Sequence, residues 1–280
     1  MRIVVAGIVI KLDIPDKFLR EEIYQFRCDE SLTVDVVIEA ADEPFPVFPE
    51  FLGEMPPVHH VHRADGYKYY LFSNDDDVSF IKYDNNYSRF IINMRAGGNE
   101  EAHFIETVNS ALRRIFVMLI AAKGGVSLHS STVGYCGEAI CFSASSGTGK
   151  TTHTKLWQKH IADVEILNGD NGYIFLHHDR VYFYSAPWCG TSGDLIKAKA
   201  SVKALIFLSQ ARENALAKLE IPEAFMRLLT GCFLPVWDKE LYLMTLDIIE
   251  KMASLVDCRH LQCLPNEEAV RMVYHGIYQC

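Results

Sequence analysis

No stretch of this sequence stays apolar long enough to cross a bilayer as a helix. The most apolar one, FVMLIAAKGGV, is broken by Lys123, well short of the roughly 20 residues a span requires. No secretory signal is visible: Arg2 precedes the apolar run IVVAGIVI, but no small-residue cleavage site follows it. Basic residues are in deficit, with 27 Lys+Arg against 36 Asp+Glu and a formal net charge of −9. Coating a phosphate backbone needs the opposite balance, so nucleic acid is not an expected partner. Eight cysteines are present, but none form a C-x-x-C pair or a zinc pattern with histidine. With no export signal, they are expected to be free thiols in a reducing cytoplasm. There is no internal repeat and no low-complexity tract. Hydrophobic residues at 49% and charged residues at 22% fit an ordinary globular chain and exclude a disordered or collagen-like one.

The acid that is present is unevenly placed. Residues 1–100 hold 18 acidic and 10 basic residues, a balance of −8, and residues 101–280 hold 18 and 17, a balance of −1. This split points to two modules. The first, residues 1–98, reads as a small acidic β-rich module. RIVVAGIVIKL opens it as a strand, and TVDVVIEA, KYYLF, VSFIKY and SRFIINMRA follow, separated by turn signals at Ala64-Asp65-Gly66 and Asp84-Asn85-Asn86. Glu43 to Pro57 is a proline-rich loop, and Gly97-Gly98 marks the boundary. The second module, residues 99–280, opens with a helix over 101–122 whose apolar residues recur at helical spacing. Strand and helix signals then alternate. NGYIFLH and RVYFYSA read as a hairpin turning at His178-Asp179, and the C-terminal part is helical, with Asn266 as an N-cap.

The strongest motif is Ala144-Ser145-Ser146-Gly147-Thr148-Gly149-Lys150-Thr151-Thr152. It fits a phosphate-binding loop (Walker A) with alanine in the first glycine place. Gly147 and Gly149 free the backbone to aim successive N–H groups at an anion. Lys150 reaches the outer phosphates, and the Thr151 hydroxyl can ligate Mg²⁺. A helix beginning at Lys150 adds its positive dipole end. The motif lies between a predicted strand, EAICFSA, and a predicted helix, TTHTKLWQKHI, as such a loop requires. ATP with Mg²⁺ is the expected cofactor, held by Ser146, Gly147, Thr148, Gly149, Lys150, Thr151 and Thr152.

Binding alone is not chemistry. Asn168-Gly169-Asp170 follows the next predicted strand, 20 residues after Lys150. That position places Asp170 near the carboxyl ends of the strands, where α/β sheets bind ligands. Asp170 could hold Mg²⁺ or take the proton from an attacking hydroxyl, and both roles suit phosphoryl transfer. The same Asn-Gly-Asp-Asn run is also ordinary turn chemistry.

LHSSTVGYCGEAICFSASSGTGKTTHTKLW and the ILNGDNG that follows it resemble the core of HPr kinase/phosphorylase and of ATP-dependent phosphoenolpyruvate carboxykinase. GTGKTTHTKLW and APWCGTSG are also similar to HPr-kinase-like proteins that phosphorylate serine on peptide natural-product precursors. The resemblance covers roughly residues 126–210. It implies an α/β fold with a P-loop core of mixed sheet and helices. It implies a histidine, His129, near the transferred phosphate, and a role for Asp170 as one member of an acidic pair. The other member has no counterpart here, since its place falls on Gly169 or Asn171. Trp188, Gly190 and Thr191, in the segment SAPWCGTSGD, are candidate substrate contacts, with Gly190 and Gly193 allowing a backbone nest or a flap.

Other candidates are weaker. His59-His60-x-His62 lacks a second ligand cluster, and Asp75-Asp76-Asp77 reads as a solvated loop. Arg259, His260 and Arg212 are further residues that could reach a phosphate. The expected function is ATP-dependent phosphoryl transfer to a hydroxyl, with Asp170, His129 and Lys150 as catalytic residues and Thr151 and Asp170 at the metal. The acceptor is a peptide, a protein or a small molecule, and serine is the favoured hydroxyl. Self-association is left open. A non-catalytic nucleotide-binding regulator is the alternative, and a carboxykinase-like enzyme is a weaker one.

Overall fold

The computed structural model describes residues 1–51, 57–72, 77–94 and 101–278. It is a mixed α/β protein in two compact units: Met1–Ala122 with Pro235–Tyr242, and Lys123–Leu234 with Leu243–Cys280.

Among the described residues, the first unit is built on a sheet of seven strands. β1 (Arg2–Val5) and β2 (Ile8–Asp13) form a hairpin. The single strand expected over RIVVAGIVIKL is therefore two. Ala6 and Gly7 take φ of +53° and +82°, the left-handed pair that closes a two-residue turn. β3 (Val36–Ala41) runs parallel to β2. β4 (Val61–Ala64), β5 (Tyr67–Leu71), β6 (Val78–Tyr83) and β7 (Arg89–Met94) form an antiparallel meander, and β7 joins β3 in parallel.

Helix α1 (Glu101–Ala122) belongs to this first unit, so the units divide at Ala122 and not at residue 98. Gly97-Gly98 lies outside the described residues. The physical reason is burial. Phe104 packs on Phe18 with ring centroids 4.8 Å apart, Asn109 Nδ2 donates to Phe18 O at 2.9 Å, and Arg114 Nε donates to the Tyr70 hydroxyl at 3.2 Å. The segment Pro235–Tyr242 returns to the same unit through a buried cation. Lys68 Nζ donates to the Tyr87 hydroxyl at 2.6 Å, to Glu240 Oε2 at 2.8 Å and to Asp238 Oδ2 at 3.1 Å. Burial opposes the charge on Lys68, and the hydrogen bonds to Glu240, Tyr87 and Asp238 outweigh it, so the pKa is raised.

The second unit is organised by β8 (Gly125–Tyr135) and β9 (Glu138–Ser143), an antiparallel pair. The remaining elements, in chain order, are α2 (Lys150–His160), β10 (Glu165–Asn168), β11 (Asn171–His177), β12 (Arg180–Ser185), β13 (Lys199–Gln210), β14 (Ala215–Lys218), α3 (Ile221–Gly231), β15 (Cys232–Phe233), α4 (Lys239–Leu255, in this unit from Leu243 on), β16 (Asp257–Cys263) and α5 (Glu267–Tyr278). The hairpin β11–β12 turns at His178-Asp179, both at positive φ. Asn266 caps α5 by accepting the Ala269 N–H at 3.1 Å.

β9 runs parallel to β13, and β13 runs parallel to β16. The pairings β8–β11, β11–β12, β12–β13, β13–β9 and β9–β8 close on themselves. The near-continuous apolar run of β9 follows from cover on both faces. Ala139 and Cys141 pack with Ala224 and Leu228 of α3 and Ile249 and Met252 of α4. Ile140 and Phe142 pack with Trp157 of α2 and Val270 and Val273 of α5. β9 is thus held rigidly, and its carboxyl end delivers the loop at residues 144–149. Among the described residues, no helix is long and apolar enough to cross a membrane.

Candidate functional site

The loop between β9 and α2 has the backbone its glycines predict. Gly147 and Gly149 take φ of +78° and +114°, a region costly for any residue with a Cβ. The His153 N–H bonds to Gly149 O at 2.9 Å, which starts α2 at Lys150. Thr154, one turn on, ties the helix to β8 through Ser131, hydroxyl to hydroxyl at 3.0 Å. Lys150 is buried, with Nζ donating to Ala144 O at 3.0 Å. Burial lowers its ammonium pKa, and the Asp170 charge works against that lowering. Gln210, at the end of β13, donates to Thr148 O at 3.3 Å and fixes the loop from the side.

The Asn-Gly-Asp-Asn turn places the carboxylate. Asn168 is fully buried. Its Oδ1 accepts the N–H groups of Asp170 and Asn171, each at 2.9 Å, and its Nδ2 donates to Ala186 O at 2.9 Å. This is the Asx geometry the residue type favours. The Ser130 N–H bonds to Asp170 O at 3.0 Å, which joins the turn to the middle of β8. Asp170 Oδ1 then lies 3.3 Å from His129 Nε2. Asn171 is in register with His129 across β8 and β11, and its Oδ1 accepts the Ser127 hydroxyl at 3.0 Å. The segment 189–193 closes against the same turn. Gly190 takes φ of +66°, and a Cβ there would come 2.8 Å from Asp170 Cβ.

These parts line one cavity of about 310 Å³. Ser146, Gly147, Gly149, Lys150, Thr151 and Thr152 contribute from the loop and helix, His129 from β8, and Gly169 and Asp170 from the turn. Gly190, Thr191 and Ser192 complete it. Its lining residues are polar or glycine, and Lys150 is the one lysine or arginine among them. Thr148 faces a neighbouring cavity of about 460 Å³ on the other side of the loop, which has Leu208, Ala211, Cys263, Leu264 and Pro265 in its walls.

The expected site residues line this cavity except for Thr148, on the far side of the loop, and Trp188. Trp188 is buried and is not among the residues lining the cavity. As the apolar end of the strand-to-loop segment, it anchors the loop and leaves Gly190 and Thr191 facing the cavity. Arg259 pairs with Asp257 at 2.9 Å, the His260 ring meets the Ser209 hydroxyl at 2.8 Å, and Arg212 is exposed. None of the three lines either cavity. His59 bonds the Tyr70 hydroxyl and His62 bonds Pro57 O, so their rings serve the first unit's own structure. Asp75 and Asp76 lie outside the described residues. Among the described residues, no group of three or more His, Cys, Asp or Glu has the geometry of a metal site. Ser192 lies in the APWCGTSG segment but nothing in the sequence picks it out there, and Phe233, its ring tilted beside that of His129, belongs to no motif that a reading of the sequence would single out.

No protein-family model matches the chain, and comparison with curated proteins returns no match. Comparison with solved structures returns the HPr(Ser) kinase/phosphatase from Coxiella burnetii, at 8% identity and a TM-score of 0.25. That match covers 31% of this chain and 61% of the other, less than two thirds of its length.

Proposed function

We propose that this protein binds ATP with Mg²⁺ and transfers the γ-phosphoryl group to a hydroxyl. The observation that carries this is the meeting, in one cavity, of the glycine loop, Lys150, Thr151 and the Asp170–His129 pair. A loop that only bound phosphate would not need a carboxylate oriented by a buried asparagine.

The loop N–H groups and the start of α2 would hold the triphosphate, and Lys150 would offset the charge of its outer oxygens. The Thr151 hydroxyl and the Asp170 carboxylate line the same cavity and offer only oxygen donors, the set that Mg²⁺ prefers. Bound there, the ion would offset charge on the phosphates. Asp170 takes the acceptor's proton as the acceptor oxygen bonds to the γ-phosphorus. The bond from that phosphorus to its bridging oxygen breaks, and ADP leaves. His129 Nε2, 3.3 Å from Asp170 Oδ1, would hold the carboxylate toward the acceptor. The neighbouring cavity of about 460 Å³, apolar on one side and sharing Gly147, Gly149 and Thr152 with the first, has the size and character for the base and ribose.

A non-catalytic nucleotide-binding role is the second reading. Its support is that, among the described residues, Asp170 is the one carboxylate lining the phosphate cavity. Isothermal titration of ATP·Mg²⁺ tests the binding on which both readings depend. Lys150→Ala should abolish binding, and an unchanged affinity would remove both.

A further inference from the structure

We propose that Phe233 is the residue that selects the acceptor, by holding an apolar group beside the reacting hydroxyl. The inference rests on the kinase reading above and deepens it.

The placement follows from strand alternation. β15 pairs antiparallel with β8, Cys232 opposite Leu128 and Phe233 opposite Ser127. Residues directly opposite in such a pair share a face, and neighbours along a strand alternate. Leu128 and Cys232 pack into the core on one face. Ser127 and His129, two residues apart, point to the other face, and Phe233 goes with them. Its ring centroid is 5.8 Å from that of His129, with the planes at 31°. α3 reaches β15 through Gly231, where a Cβ would come 2.8 Å from the Ser143 hydroxyl at the end of β9. Phe233 is therefore positioned by its pairing with Ser127 of β8.

The ring is nonetheless 44% exposed. The cavity that His129 lines is otherwise built from serine, threonine, lysine, aspartate and glycine, which suits phosphates and includes no aliphatic or aromatic hydrocarbon side chain for the skeleton of an acceptor. Phe233 is the apolar surface next to the histidine that orients Asp170. A rigid, half-exposed aromatic at such a place is the kind of residue that anchors a partner group. The acceptor it fits carries an aliphatic or aromatic group close to its hydroxyl. That group is either the residue flanking a serine in a polypeptide or the body of a small alcohol.

The test uses radiolabelled ATP with two sets of acceptors. One is a degenerate peptide library, Ala-X-X-Ser-X-X-Ala. The other pairs 2-phenylethanol and hexanol with glycerol. Label transfer should favour apolar flanking residues, or the apolar alcohols, by about tenfold or more, and the preferred set identifies the source. Phe233→Ser should collapse that ratio, and Phe233→Leu should restore most of it. A purely structural role would instead lower transfer to all acceptors alike. Transfer without apolar preference, or a preference unchanged in Phe233→Ser, overturns the inference. So does ATP turnover with no transfer to any acceptor. ATP binding is titrated in parallel, and its absence in the parent protein removes the kinase reading itself.

Discussion

Gly169 and Ser192 share a space that only one side chain can fill. A Cβ at position 169 would fall on the Ser192 hydroxyl and come 2.9 Å from the Cys189 carbonyl. The Gly169 N–H is also committed, bonding Asp194 O at 3.0 Å. A second acid beside Asp170 is therefore shut out on the Gly169 side by the loop that covers it. On the other side, the Asn171 amide is already engaged by Ser127.

Gly169→Asp should therefore damage the turn instead of adding a ligand. The hydroxyl of Ser192 can rotate away, but the Cys189 carbonyl is backbone. A loss of about 2 kcal/mol or more is expected, measured as a lower midpoint in urea. Turnover should fall with it. A variant as stable as the parent would show that the loop yields.

Asn168→Ala removes one buried acceptor and one buried donor. Two backbone N–H groups and the Ala186 carbonyl lose their partner. Each orphaned buried group costs about 1–3 kcal/mol, so a loss of several kcal/mol is expected in denaturant unfolding. A nucleotide-loaded sample that did fold should bind ATP and turn it over poorly, because the asparagine acts on the Asp170 turn and not on the loop.

His153 gives the fold a dependence on acid. It is buried in α2, its Nε2 accepts from Trp157 Nε1 at 3.2 Å, and burial lowers its pKa to about 4. The folded protein thus holds the ring neutral, while the unfolded chain protonates it near 6.5. The contribution to stability is fully present above pH 6.5 and is lost as the pH falls toward 4, by about 3 kcal/mol at most. Urea unfolding at pH 7 and pH 4.5 should show a smaller loss in His153→Gln than in the parent. Equal losses would mean that the ring is solvated.

Local chemistry was legible in the sequence and long-range packing was not. The backbone of the loop at residues 144–149 follows from its own glycines, and that of the Asp170 turn from the asparagine two residues before it, so both turns could be read without a structure. The break at Ala6-Gly7 escaped because IVVAGIVI is continuously apolar and only the positive φ of two residues divides it. α1 was placed with the wrong neighbours because helical periodicity says that a face is buried but not against which sheet. The return of Pro235–Tyr242 to the first unit depends on Lys68 meeting Asp238, 170 residues away in the chain. Trp188 and Phe233 show the same limit at the site. Which aromatic is buried and which is left beside His129 depends on the alternation of a two-residue strand and the packing of a loop.

On the proposed function, Asp170 serves transfer and not only binding. Asp170→Asn keeps the size and the turn but removes the charge and the basicity. The measurement is release or transfer of the γ-phosphate with Mg²⁺, alongside titration of ATP. Turnover should fall by about 10² or more while ATP is still bound. Turnover equal to that of the parent would contradict that role.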